Sequence, residues 1–226
     1  MSSVTGSRRF RRIGIISGIL IVLLVLWFTG LLATVKPASS AESLQAVMEG
    51  GTAFDKVKFV DGIWESKVIP TVEKDSVDIG TLLASIGKDP EEAAREYGNN
   101  VGGADNYLVQ FAGRVVNVDT KSLTGTVTVD VQDGGKSLPV KIQIGPIILG
   151  TALRDAVKFI TFEQFTNQMQ YGGVSDELNS RVSQLVISRI DLKTLLGKGI
   201  SVKGAYTYDS TNPKDILVTP VIVGVE

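Results

Sequence analysis

The sequence predicts an α+β fold: a five-stranded OB-like antiparallel barrel with a helical insertion and an N-terminal helical region, preceded by one transmembrane helix. Three features carry that expectation. Five short runs beyond Tyr107 alternate apolar and polar residues, a block of helical periodicity separates the third run from the fourth, and one long uncharged stretch lies near the start of the chain. Strand, strand, strand, helix, strand, strand is the element order of a partly open Greek-key barrel. The alternative is an open antiparallel sheet with helices on one face. Closure is preferred because it removes the exposed edges that five short strands would leave.

The uncharged stretch runs from Ile13 to Val35, 23 residues, or about 34 Å as a helix against a hydrocarbon core of about 30 Å. Arg8, Arg9, Arg11 and Arg12 precede it, and no acidic residue appears before Glu42. Basic flanks stay on the cytoplasmic side, so residues 1–12 are expected inside, 13–35 across the membrane, and the rest outside. The expected location is the bacterial inner membrane, single-pass, with the bulk of the chain periplasmic or extracytoplasmic. Cleavage after Ala41, within "PASSAE", would instead release the domain, but a cleaved leader has an apolar core of only about 7 to 15 residues.

Removing those four Arg from the chain's 23 basic residues leaves 19 against 24 acidic ones, a net charge of −5. Such a balance does not suit a phosphate backbone, so no nucleic-acid partner is expected. The chain has no Cys and no His. That excludes thiol chemistry, Ser-His pairs, disulfides and zinc sites built on those ligands. No cofactor and no metal are expected, and with 43% hydrophobic residues the core must hold the domain unaided.

Residues 36–53 are small and polar around "ESLQAVMEG" and read as a stalk. A helical region is expected over 54–106. Val57, Val60, Ile63, Trp64, Val68 and Ile69 recur near the helical period, with Pro70 limiting the end of that first helix. "DIGTLLASIG" has Asp78 as its cap. "DPEEAAREYG" has Asp89 as cap, Pro90 at the first helical position, two Glu facing the positive end of the dipole, and Gly98 as stop.

The barrel is expected over 107–226, with "YLVQFAGRVVNVDT", "TGTVTVDVQD" and "LPVKIQIG" as its first strands and "DGGK" as a hairpin turn. "ISVKGAYTY" and "DILVTPVIVGV" close it. Gly113 and Gly204 sit where a small barrel needs bends. The helical block spans 151–196. Thr161 and Gln164 form a capping box for "FEQFTNQMQY", and Ser175 is expected to cap the next helix.

"FVDGIWESKVIP", "IGPIILGTALRDAVKFITF" and "FEQFTNQMQY" together resemble a bacterial family of predicted periplasmic lipoproteins of unknown function. Genes of that family often lie beside those of sugar ABC transporters. The resemblance implies an envelope location and transporter subunits as partners, and no reaction. Several members of that family begin with a lipobox ending in Cys-Lys. Here "LLATVK" keeps the frame but puts Val35 in place of the cysteine, so attachment passes to the apolar run.

The candidate site residues are Arg154, Asp155, Asn167, Gln168 and Trp64. Arg154 and Asp155 either tie the helical block to the strands or line a cleft for a polar ligand. Neighbours on a helix point in different directions, which favours separate structural partners. Asn167 and Gln168 lie among Phe162, Phe165, Met169 and Tyr171, a composition suited to a sugar-like ligand and equally to an ordinary amphipathic helix. Trp64 is a packing residue or a partner anchor. Asp130 and Asp133 fall short of a calcium loop. No nucleotide, nucleophile-elbow or glycosidase motif is present. The expected function is therefore non-enzymatic: a membrane-anchored accessory protein, with a small polar ligand-binding protein and a structural envelope protein as alternatives.

Overall fold

The computed structural model describes residues 54–226, which form one compact unit. The expected cytoplasmic N-terminus, transmembrane helix and stalk lie outside the described residues. Among those described, no helix is long and apolar enough to cross a membrane.

Helix α1 (Lys56–Ile63) starts at Asp55, whose carboxylate accepts from the Lys58 N–H at 3.1 Å. A π-helical turn (Trp64–Val68) follows, then α2 (Ile69–Asp75). Pro70 therefore does not end the helix as expected. It falls in the first turn of the resumed α-helix, where a missing N–H is tolerated. The turn also serves packing. Val60, Trp64, Val68 and Val72 are all buried, and their strict four-residue spacing would drift around a 3.6-residue helix if the wider turn did not take up the surplus.

Helices α3 (Ile79–Lys88) and α4 (Pro90–Tyr97) begin at Asp78 and Asp89 as the sequence predicts, each carboxylate accepting from a first-turn N–H at 3.0 Å. The helical region ends earlier than expected. Val77–Asp78 is a short strand, β1, and Gly98–Val101 is β2, joined by a two-residue turn to β3 (Ala104–Asp119).

The barrel consists of β3, β4 (Thr124–Asp133), β5 (Lys136–Pro146), β6 (Gly199–Thr207) and β7 (Leu217–Val225). Around the ring the order is β3-β4-β5-β7-β6, and nine aligned residue pairs from Asn106↔Thr207 to Arg114↔Gly199 return β6 to β3. The ring is closed, so the open-sheet alternative falls.

One junction departs from the antiparallel expectation: β5 and β7 run parallel, at Lys141↔Leu217 and Ile142↔Val218. Directions alternate around an antiparallel ring, and an odd number of strands cannot alternate all the way. One parallel junction is the topological consequence, and here it is the weakest.

Gly113 and Gly204 do what a small barrel asks of them. A Cβ on Gly113 would run into the Asp130 carbonyl, and one on Gly204 into the Thr219 carbonyl. β3 therefore turns from β6 to β4 at Gly113 with an irregularity at Val115/Asn117, and the β6–β7 register shifts at Gly204. Val109, Val127, Val129, Val140, Val202 and Val218 fill the interior. Tyr107 and Tyr206 stack there with centroids 6.5 Å apart, and burial pushes the Tyr107 phenol up to about 12.

The block between β5 and β6 contains α5 (Ala152–Ala156), a 3₁₀ turn (Phe162–Gln164), α6 (Gln168–Arg181), a second π turn (Val182–Val186) and two further 3₁₀ turns. The Thr161–Gln164 capping box is present, but it caps only the 3₁₀ turn. α6 starts afresh at Asn167 and runs through Ser175, which is not a cap. Ser175 is buried, and its hydroxyl has no partner among the described residues.

Candidate functional site

α5 is only five residues long, and both of its charged residues are buried. Arg154 and Asp155 do not seek separate partners. The Arg154 Nε and Nη2 approach Asp155 Oδ1 at 2.7 and 2.6 Å. This is possible because the arginine stem folds back over the Tyr171 ring, placing the guanidinium carbon 3.6 Å from its centroid.

All three oxygens of Asp155 accept further hydrogen bonds. Thr151 Oγ1 donates to Oδ2 at 2.5 Å, the Tyr171 hydroxyl donates to Oδ1 at 3.3 Å, and Asn99 Nδ2 donates to the Asp155 carbonyl at 2.7 Å. Arg154 Nη1 donates to the Tyr171 carbonyl at 3.3 Å. Burial raises the Tyr171 phenol above its ordinary value, with Arg154 opposing and Asp155 adding to the rise. The network ties β2, α5 and α6 together.

Asn167 and Gln168 are outside that network. Asn167 Oδ1 accepts from the Gln170 N–H at 2.9 Å and caps α6, while the Gln170 side-chain oxygen accepts from the Thr166 N–H at 3.0 Å. Gln168 is exposed. Phe165 and Tyr171 are buried, and Phe165 packs edge-on against Phe54 and Phe59 with centroids 5.3 Å apart. Trp64 is buried in the π turn at 3% exposure and belongs to no exposed patch.

Four polar residues that the sequence reading passed over do more. Gln143, buried at the end of β5, grips the following loop in both directions: its Oε1 accepts from the Leu149 N–H at 2.8 Å and its Nε2 donates to the Leu149 carbonyl at 3.0 Å. Thr219 Oγ1 accepts from the same Nε2 at 2.9 Å. Asn179, on α6, donates to the carbonyls of Ile148 and Gly150 at 3.3 and 2.9 Å. The Ile147 N–H donates to Leu123 O at 2.9 Å, joining this loop to the one before β4. The fourth residue is Asn99. Alternation with Ile142 and Ile144 puts Gln143 on the polar face of β5, so its burial was not legible from the pattern.

The result is a fixed loop that displays apolar side chains. Leu123, Ile147 and Leu149 are 67%, 46% and 55% exposed. A separate groove of about 520 Å³ is lined by Glu91, Arg95, Asn99, Asn100, Asp105 and Lys158 among others.

A family model described as predicted periplasmic lipoprotein (DUF2291) matches residues 20–224. The chain belongs to that family. The described fold of this chain is similar to the crystal structure of an OB-fold protein from Thermotoga maritima, at 20% identity and a TM-score of 0.63, covering 77% of this chain and 100% of that one. At that identity the likeness speaks for the barrel alone. No curated protein matches this chain significantly.

Proposed function

We propose that this lipoprotein-family member is a membrane-anchored, outward-facing accessory protein of the bacterial envelope that works by binding other proteins, with subunits of a sugar-type transporter as the first candidates. The observation that carries the reading is the Leu123–Ile147–Leu149 tip. Exposed aliphatic residues on two joined loops, the later one gripped by Gln143 and Asn179, form a pre-ordered surface, and a surface ordered in advance loses little entropy on docking. The buried charges, by contrast, are spent on one another.

The barrel face across β4 and β5 presents Thr126, Thr128, Asp130 and Lys141. It has no aromatic ring on which bases would stack, which supports a protein rather than a nucleic-acid partner. Crosslinking in native membranes, followed by capture of the full chain, tests the reading. Leu149→Asp should abolish the crosslinked transporter subunit; an unchanged crosslink pattern sinks it. Anchoring is tested by intact mass, since a mature N-terminus at Glu42 would show a cleaved leader instead of a retained helix.

The polar groove favours a second reading, in which Asn99, Asn100, Asp105 and Lys158 take a small polyhydroxylated ligand. A thermal-shift series with monosaccharides decides it, because a ligand bound only to the native state raises the melting temperature by mass action.

A further inference from the structure

The parallel junction between β5 and β7 pairs only Leu217 and Val218. Beyond Val218, the side of β7 facing away from β6 has no backbone partner among the described residues. The π turn at Val182–Val186 packs against the start of this open stretch. Farther along, a groove of about 550 Å³ runs between β7 and residues 185–198.

The register identifies which backbone groups face the groove. The Glu226 N–H donates to the Gly199 carbonyl at 3.0 Å, so Gly199 and Glu226 are a hydrogen-bonded pair. In an antiparallel ladder such pairs alternate with non-bonded ones. Ser201↔Gly224 is then bonded, whereas Ile200↔Val225 and Val202↔Val223 are not. The N–H and C=O groups of Val223 and Val225 therefore point away from β6, toward the groove.

The walls are aliphatic and carry charges of both signs. Leu185, Val186 and Ile190 are half-buried along one side. Arg189 and Lys198 also line the groove, and neither forms an ion pair among the described residues. Two carboxylates share the lining without pairing with either cation: Asp191 accepts from the Lys193 N–H and from Thr194 Oγ1, and the Glu226 side chain lies over Gly199.

We infer that the β7 edge is a docking groove for an extended peptide segment of a partner protein, one with aliphatic side chains and an acidic residue. Backbone groups of Val223 and Val225 would pair with the segment's own backbone, the Leu185–Ile190 wall would take alternate aliphatic side chains, and Arg189 with Lys198 would meet the carboxylate. This gives the partner-binding reading a second contact, and it rests on that reading.

The test is selection of short peptides from a displayed random library on the full chain in nanodiscs. Enriched peptides should alternate aliphatic residues and carry Asp or Glu. Their affinity should fall about tenfold with Val223→Pro, which removes one outward N–H and costs β7 no ladder bond, proline being tolerated at such edge positions. Arg189→Glu should weaken them to a similar degree, and so should N-methylation of alternate peptide residues. No enrichment above empty nanodiscs overturns the inference, as does enrichment of peptides indifferent to all three changes. The chain has no native cysteine, so a Val223→Cys variant reports self-association directly. A disulfide-linked homodimer would make a second copy the occupant and would also overturn it. Peptide binding that survives while Leu149→Asp leaves the membrane crosslinks unchanged sinks the tip reading alone.

Discussion

The barrel and the helical block that spans residues 147–196 are held by different kinds of bond. In the barrel, backbone ladders run between neighbouring strands, and valines fill the interior. In the block most elements other than α6 are short, and buried side chains hold them: Arg154 and Asp155 on Tyr171, Gln143 on the Leu149 loop, Asn179 on two carbonyls of the same loop. A ladder spreads its strength over many weak contributions. A clasp concentrates it in one residue, so single substitutions should damage the block far more than comparable changes on the barrel surface.

Arg154→Met tests this most severely. It leaves Asp155, which is 4% exposed, without its countercharge, and breaking a buried pair from one side costs about 3–5 kcal/mol. Adding Asp155→Asn should recover part of that loss. Urea denaturation measures both; a single-variant cost below about 1 kcal/mol would mean the pair behaves like a surface ion pair. Asn179→Ala comes next, at about 1–3 kcal/mol, because the carbonyls of Ile148 and Gly150 lose their donor. Hydrogen exchange in the loop should rise in the same variant, since the tip would no longer be fixed.

The same contrast explains what could be read from the sequence. Strand identity, order and closure were legible because alternation has a period of two and because Gly113 and Gly204 mark the bends. β2 was not, since "GNNV" carries no aliphatic alternation and is defined only by its hairpin with β3. The parallel junction follows from counting strands around a closed ring, which periodicity alone does not do. The Arg154–Asp155 pairing escaped because the expectation assumed that neighbours on a regular helix point in different directions and find separate partners. On a five-residue helix the long arginine reaches back around Tyr171 instead. Ser175 precedes the apolar-periodic run that begins at Asp176 and so reads as a cap, yet Asn167 had already started the helix.

The barrel has its own sensitive point, at alkaline pH. Tyr107 is buried and its phenol is raised from 10.0 to about 12, chiefly by burial. A raised folded-state value means that its contribution is fully present below pH 10 and is lost as pH climbs toward 12. Tyr206, raised in the same direction and also by burial first, adds to that loss. Melting temperatures between pH 7 and 11 should therefore fall at the upper end, and less steeply in Tyr107→Phe. Equal slopes for both proteins would mean that the stacked pair reaches solvent before the barrel opens.

The smallest expected effect separates the two amides at the start of α6. Asn167 accepts from the Gln170 N–H at 2.9 Å and satisfies a donor that the first turn of any helix leaves free. Its replacement by Ala should cost about 1 kcal/mol. Gln168 is exposed and already inside the helix, so Gln168→Ala should stay within about 0.5 kcal/mol of the parent. A double variant should then equal Asn167→Ala alone, and Asn167→Asp, which keeps the accepting oxygen, should restore the parent's stability. Were the double variant to lose several kcal/mol, the amides would be joined to the Arg154–Asp155 network through contacts absent from the described geometry, and the block would be one clasp rather than several.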